Sequence, residues 1–282
     1  MTRAHPALVI HGGTGPRPSG ERIERVRASL RAIADRAYDF LSAHSALETT
    51  IFAVQMLEDD PLYNAGTGSM LQADGRARMS ASVMDGARGA FAAVINVERV
   101  RNPVLVAATL LDEPDRVLAG PQAVAFARSQ GFGPWNPITT ERRTQWRKRQ
   151  DHRHGTVGAV ALDRRGRLAA ATSTGGRGFE RPGRVSDSAM PVGNYASATC
   201  AVSCTGFGEH ILDEALAVRI VQRTTDGASL PAVVSKTFRE LKTRKREAGA
   251  IALDRRGRAA WSTTLPILYA AMRTRTDRRE SF

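Results

Sequence analysis

The sequence predicts a layered α+β fold rather than a parallel doubly wound sheet, and two observations carry that expectation. Strand-like and helix-like stretches come in blocks instead of alternating. In addition, Ala161-Leu162-Asp163-Arg164-Arg165-Gly166-Arg167 recurs letter for letter as Ala252-Leu253-Asp254-Arg255-Arg256-Gly257-Arg258. Each copy follows an apolar run, precedes an Ala-rich run and carries a turn glycine, which is the pattern of a β-hairpin. Two copies are too few for a solenoid. They place antiparallel sheet at both ends of the second half, with helical stripes near 211–221 and 233–241 between them.

From the start of the chain, Ala7-Leu8-Val9-Ile10-His11 reads as a buried strand closed by Gly12-Gly13. Ile23, Val26, Leu30, Ile33, Ala37, Phe40 and Leu41 then recur at spacings of three and four, the stripe of an amphipathic helix. A second helix begins at Ser45 as N-cap and runs through Leu47, Ile51, Val54 and Leu57, to be broken by Pro61 and Asn64-Ala65-Gly66. Asp74-Gly75 supplies hairpin turn chemistry, and 90–97 reads as a strand. Helices follow near 104–111 and 122–130. From 131 to 153 no periodic apolar face remains, so this stretch reads as a linker within one domain spanning 1–282. Order returns abruptly at Gly155-Thr156-Val157-Gly158-Ala159-Val160.

Composition narrows the classes of function. The 282 residues are 42% hydrophobic and 24% charged, which is ordinary for a globular chain with a substantial core. No apolar run approaches the roughly 18 residues of a membrane span. The apolar stretch 7–10 is too short for a secretory signal, so a cytoplasmic protein with no membrane partner is expected. Cys200 and Cys204 have neither zinc-site nor redox-pair spacing and read as packed core thiols. The net charge of +13 raises nucleic-acid binding as an alternative, centred on Arg142, Arg143, Arg147, Lys148, Arg149 and Arg153 with Trp135 and Trp146. A solvated linker is the preferred reading of that run, because it lacks periodicity and abuts Gly155.

The chemistry-bearing candidate is Thr156, a hydroxyl residue opening a strand directly after a glycine and an irregular stretch. Gly155 offers no side chain to obstruct attack on its carbonyl. If Thr156 Oγ attacks there, the peptide rearranges to an ester, and hydrolysis frees an α-amine on Thr156. That amine, with a pKa of about 7.7–8.0, can act as base for its own hydroxyl. No histidine triad is then needed, and none of the six histidines has an evident triad partner. Read locally, a threonine at a strand start is more often just a good β-former.

The segment 154–163 closely resembles the cleavage-site motif of the plant-type L-asparaginase / isoaspartyl peptidase family. Further segments follow in the family's order: His11-Gly12-Gly13-Thr14-Gly15, Asp60-Pro61-Leu62-Tyr63-Asn64-Ala65-Gly66, Ser82-Val83-Met84-Asp85-Gly86 and Arg101-Asn102-Pro103. Thr172-Ser173-Thr174-Gly175-Gly176, Pro182-Gly183-Arg184-Val185-Ser186-Asp187-Ser188 and Thr205-Gly206-Phe207-Gly208-Glu209 complete the series. The resemblance implies a four-layer αββα sandwich of N-terminal-nucleophile hydrolase type. It also implies cleavage into 1–155, with a linker over about 131–155, and 156–282, and a dimer of the cleaved heterodimers.

The same resemblance implies the roles. Thr156 is nucleophile and amine base, and Thr174 places a second hydroxyl beside it. The Thr205 hydroxyl and Gly206 N–H form the oxyanion hole. Arg184 clamps the substrate α-carboxylate, Asp187 holds its α-ammonium, Gly208 permits close approach, and Asn64 orients the Thr156 region. The implied substrates are isoaspartyl dipeptides or L-asparagine, with a glycosylasparaginase-type hydrolase or an inactive relative as alternatives. No organic cofactor and no metal ligand set is expected. In the resembling enzymes backbone carbonyls of the loop around 57–67 can hold a structural sodium, which leaves no sequence signature. The chain departs from the family pattern at Ser80, where an acid is usual, at Ser186, where glycine is usual, and over 261–266.

Overall fold

The structure, a computed structural model, describes residues 5–15, 20–149 and 155–282. Strand β1 (Ala7–Gly15) does not stop at Gly12-Gly13 as expected; it passes through the pair with a bulge between His11 and Thr14. Helix α1 (Gly20–Leu41) buries Val26, Leu30, Ile33, Ala37 and Leu41 of the expected stripe. Helix α2 (Ala46–Asp59) begins as expected at Ser45. The Ser45 hydroxyl accepts the Glu48 N–H, and the Glu48 carboxylate accepts the Ser45 N–H, a full capping box.

Strand β2 (Met79–Asp85), which sequence periodicity missed, pairs with β3 (Ala90–Val97). It is buried on both faces, with Ser80 and Ser82 inside as well as Met79, Ala81 and Val83, so its short alternation separates no solvent face from a core face. Asp74-Gly75 makes a turn closed by the Gly75 N–H on the Gln72 carbonyl, but no pair of strands flanks it. Helix α3 (Pro103–Thr109) runs into a single 3-10 turn, β4 (Val117–Ala119) follows, and α4 is Gly120–Ser129.

The expected linker is only partly irregular. Helix α5 (Thr140–Arg147) forms within it, N-capped by the Thr139 hydroxyl on the Arg142 N–H. It has no apolar stripe because its buried residue is Arg142. The guanidinium donates from Nε to the Gly68 carbonyl at 2.6 Å and from Nη1 to Gln145 Oε1 at 3.0 Å. Burial lowers its pKa to about 10, leaving it charged at neutral pH. Trp146 donates its indole N–H to the Gln72 carbonyl, and Trp135 donates to the Thr67 hydroxyl beneath the Arg101 guanidinium. Residues 150–154, with Arg153 and His154, lie outside the described residues.

Both echoed segments form the expected hairpins: β5 (Val157–Leu162) with β6 (Leu168–Thr174), and β9 (Ala248–Asp254) with β10 (Ala259–Thr263). Short β7 (Asn194–Ala196) and β8 (Cys200–Gly206) precede the helices. The stripe near 211–221 is two helices, α6 (Gly208–Asp213) and α7 (Leu216–Thr225), because Ala215 takes a left-handed conformation with φ 45°. Helix α8 (Leu230–Thr243) fits expectation, and β11 (Ile267–Thr274) with β12 (Arg278–Ser281) ends the chain.

The strands form two sheets: eight strands in the order β12-β11-β1-β5-β6-β2-β3-β4, and four in the order β10-β9-β8-β7. Alternation along each strand distributes its side chains between separate apolar clusters. Leu8 and Ile10 of β1 join Leu30, Val54 and Leu57 of the first two helices. Ala7 and Val9 face the other way, in a cluster with Val160, Ile251 and Leu253 drawn from both sheets. Cys200, Cys204 and Ala250 pack with Ile220, Leu230 and Phe238 of α7 and α8. Both cysteines are therefore buried free thiols, as expected. Burying each large aliphatic side chain contributes roughly 1.5–3 kcal/mol, and these clusters fix where the strand ends meet. Among the described residues no helix is long and apolar enough to cross a membrane.

Candidate active site

Thr156 sits immediately before β5 and is buried. Strand β5 pairs antiparallel with β6 from Val157 opposite Ser173, so one further step sets Thr156 across from Thr174. Gly155 is packed on three sides by the other elements at this strand end. A Cβ there would overlap the Thr205 hydroxyl and lie 2.8 Å from the Thr14 amide nitrogen. On the facing strand, a Cβ on Gly13 would lie 3.0 Å from the Gly155 carbonyl oxygen, and Gly13 has φ +111°. Two glycines therefore meet backbone to backbone at the bond preceding Thr156, where no larger residue fits. The buried Thr205 hydroxyl has no hydrogen-bond partner among the described residues, an uncommon and costly state that leaves it ready for an oxygen at this position.

The sheets then bring together what the sequence left scattered. Thr156, Gly155, Thr174, Arg184, Asp187, Gly206 and Gly208 all line one cavity of about 280 Å³. Thr205 stands at its edge against Gly155. Asn64 lies behind it: its Nδ2 donates to the Gly176 carbonyl at 2.6 Å, its carbonyl accepts the Gly175 N–H at 2.8 Å, and its Oδ1 accepts the Met70 N–H at 2.9 Å. Asn64 thus fixes the chain just past Thr174.

Gly208 separates the two charged groups. A Cβ on it would lie 2.6 Å from Arg184 Nη2 and 2.8 Å from Asp187 Oδ1, so its missing side chain leaves a small cradle between a cation and a carboxyl. Arg184 makes a two-pronged bond to Glu209, from Nε at 2.7 Å and from Nη2 at 2.9 Å. Burial works against the Arg184 charge, but Glu209 outweighs it and the pKa rises above the usual arginine range. Burial also pushes the Glu209 carboxyl up, and its bonds to Arg184 outweigh that and hold it below the usual range. Burial dominates at Asp187, raising it to about 7 against the Ser186 hydrogen bond and the Arg184 charge.

Among the described residues no histidine lines this cavity. His11 is fully buried, with Nε2 2.8 Å from Ser203 Oγ, and burial lowers its pKa to about 3, so the ring is neutral and weakly basic. Sequence reasoning missed three partners: Glu209 on Arg184, Ser188, whose Oγ lies 3.1 Å from Thr156 Oγ, and Ser186 beside Asp187. All three stand inside the quoted family segments, but only the fold shows what they touch.

No cluster of three or more His, Cys, Asp or Glu side chains suited to a metal occurs among the described residues. In the loop around 57–67, the Glu58 carbonyl accepts the Thr67 N–H at 2.7 Å and the Gly66 carbonyl accepts the Ser69 hydroxyl at 2.8 Å. The chain's own donors thus brace this loop, with Arg142 holding Gly68 beside it.

A family model described as asparaginase matches residues 4–154 and 147–282. An isoaspartyl peptidase/L-asparaginase of Nostoc sp. is 47% identical, over 96% of this chain and 92% of the relative. A protein of the same name from Synechocystis sp. is 43% identical, over 96% and 88% respectively. A plant-type L-asparaginase of Pyrococcus abyssi is 35% identical, over 95% of this chain and 96% of its own length. With matches along nearly the whole chain and the motif residues gathered at one cavity, this protein belongs to the asparaginase family.

Proposed function

We propose that the chain is a self-activating amidohydrolase that releases aspartate from isoaspartyl dipeptides and L-asparagine, with Thr156 as nucleophile. The observation that carries this is the single cavity holding Thr156 behind Gly155, with Arg184 and Asp187 parted by Gly208. A free α-amino acid head carries a carboxylate and an ammonium on one carbon. The Nη1–Nη2 end of the Arg184 guanidinium, beside the edge that Glu209 holds, suits the first and the Asp187 carboxylate the second, with the bare Gly208 backbone between them. The names of the relatives support the same substrates.

Cleavage between Gly155 and Thr156 yields 1–155 and 156–282 and gives Thr156 its free amine. That amine takes the Thr156 hydroxyl proton while Oγ attacks the side-chain amide carbonyl of the substrate. The Thr205 hydroxyl and Gly206 N–H stabilise the tetrahedral oxyanion, and Thr174 steadies the nucleophile from across the strand pair. Ammonia or an amino acid leaves, and water releases aspartate from the Thr156 ester. No step uses a cofactor or a metal. The separation of apolar clusters supports a four-layer αββα arrangement, and the family resemblance supports a dimer of cleaved heterodimers. Nucleic-acid binding is set aside because Arg142 and both tryptophans of the basic run are engaged within the chain.

The test follows intact mass and aspartate release on three substrates: a β-aspartyl dipeptide, L-asparagine and a glycosylated asparagine. Two fragments with turnover of either of the first two support the proposal. Turnover confined to the glycosylated substrate would reassign the leaving group, and an uncleaved, inactive chain would overturn the proposal.

A further inference from the structure

Two arginines line the cavity, and they are held differently. Arg184 is tied by its Nε–Nη2 edge to Glu209. The Arg177 guanidinium makes no hydrogen bond and no ion pair among the described residues; it lies over the Phe207 ring, 5.2 Å from its centre. Such a contact uses the face of the guanidinium and leaves its in-plane N–H donors for a further acceptor. The backbone fixes Arg177 in this place. Gly176 and Gly178 on either side both have φ 87°, the Arg177 N–H donates to Glu180 Oε1 at 3.2 Å, and the Phe179 N–H donates to the Leu71 carbonyl at 2.9 Å. Phe207 is anchored as well, between Gly206 and Gly208, with its N–H on the Glu247 carbonyl at 3.0 Å.

The substrates considered above differ in what they present beyond the scissile amide. L-Asparagine loses ammonia and offers nothing there, and a glycosylated asparagine offers a neutral sugar. The outgoing residue of a β-aspartyl dipeptide has its nitrogen bound in the scissile amide, so its free α-carboxylate is the one charge its backbone brings. The amino-acid head occupies Arg184 and Asp187. The charged groups of the cavity that remain are Arg177 and Glu247, and of these only Arg177 attracts a carboxylate.

Resting on the hydrolase reading above, we propose that Arg177, seated over the Phe207 ring, binds the α-carboxylate of the outgoing residue. The preferred substrates are then β-aspartyl dipeptides with a free carboxyl end. The planar guanidinium and carboxylate meet edge to edge through charge-assisted hydrogen bonds. Longer isoaspartyl peptides carry their terminal carboxylate farther from the scissile bond and forfeit the contact. L-Asparagine and the glycosylated compound forfeit it too.

The experiment compares kcat/KM for β-aspartyl-alanine with that for its C-terminal amide, on the protein as purified. The two compounds share the head group and the scissile bond and differ in the charge that Arg177 meets. Their ratio therefore cancels any defect in folding, maturation or head-group binding. The wild type is expected to favour the free dipeptide by about thirtyfold, the worth of hydrogen bonding to a charged group. Arg177→Met keeps a long apolar stem without the charge and should bring the ratio to about 1. Arg177→Lys, a point charge without the planar fork, should keep an intermediate preference. A wild type that does not distinguish the two compounds, or an Arg177→Met enzyme that keeps the wild-type ratio, overturns the assignment. A wild type that releases aspartate from neither compound nor from L-asparagine overturns the hydrolase reading itself, and the Arg177 assignment falls with it.

Discussion

The two echoed hairpins give the molecule an internal control. Asp163 accepts the N–H groups of Arg165 and Arg167 at 2.9 and 3.0 Å and the Arg167 guanidinium at 2.7 Å. Asp254 repeats the three bonds to Arg256 and Arg258 at 2.9, 3.0 and 2.7 Å. Gly166 and Gly257 adopt φ of 76° and 77°. Identical letters build identical turns, although one hairpin lies in the eight-stranded sheet and the other in the four-stranded sheet. The hairpins differ at the opposite end. The position equivalent to Thr156 is Glu247, and both residues line the same cavity. Turn chemistry is thus local and repeatable, whereas the reactive end depends on which residue opens the strand and what the neighbouring strands bring to it.

Several experiments would break or sharpen that contrast. The largest effect concerns what the second sheet contributes to the first. Thr205 on β8, paired opposite Gly249 of the second hairpin, reaches across to Gly155. Thr205→Val keeps the shape and removes the hydroxyl, and kcat is expected to fall roughly 100- to 1,000-fold, as for loss of an oxyanion donor. An unchanged kcat in a cleaved Thr205→Val enzyme would confine the chemistry to the first hairpin's sheet. Next, Gly208→Ala fills the cradle between Arg184 and Asp187, and steady-state kinetics should show KM raised by roughly a hundredfold, about 2.7 kcal/mol of lost binding.

Smaller effects fall on stability. Buried Glu58 accepts the Ser173 hydroxyl at 2.6 Å and the Val104 N–H at 3.0 Å, and burial raises its carboxyl to about 8. A carboxyl whose folded pKa lies above its unfolded value stabilises the fold fully below the unfolded value and loses that contribution as pH rises through the folded one. Denaturant titrations of the wild type should show stability falling from about pH 4.5 to about pH 8, and Glu58→Gln, an isosteric acceptor, should flatten that slope. The smallest effects belong to the turns. Asp163→Ala and Asp254→Ala are each expected to cost roughly 2 kcal/mol in chemical denaturation. Asp163 should cost more, because it also accepts the Ala46 N–H at the start of α2 at 3.2 Å. Equal losses would show that this extra bond contributes nothing.

What the sequence made legible follows the same division between local and distant. The hairpins, the α2 capping box and the α1 stripe rest on contacts within a few residues, and all could be read directly. Strand β2 was hidden because it is buried on both faces, and α5 because its buried anchor is an arginine bound to a carbonyl more than seventy positions away. The break at Ala215 was invisible because a left-handed alanine leaves no mark in the letters. Thr156 was recognisable from its motif. The Ser188 contact and the two-pronged Glu209 bond to Arg184 required the fold, since each spans more than twenty residues.

The account depends on a new amino terminus at Thr156. Intact mass of the purified wild type and of Thr156→Ala, read beside aspartate release from a β-aspartyl dipeptide, tests that most directly. The wild type should give two chains that part between residues 155 and 156 and turn over substrate, while Thr156→Ala stays whole and inert. A wild type that hydrolyses the dipeptide as a single uncut polypeptide, or a Thr156→Ala chain that still cuts itself, would contradict it.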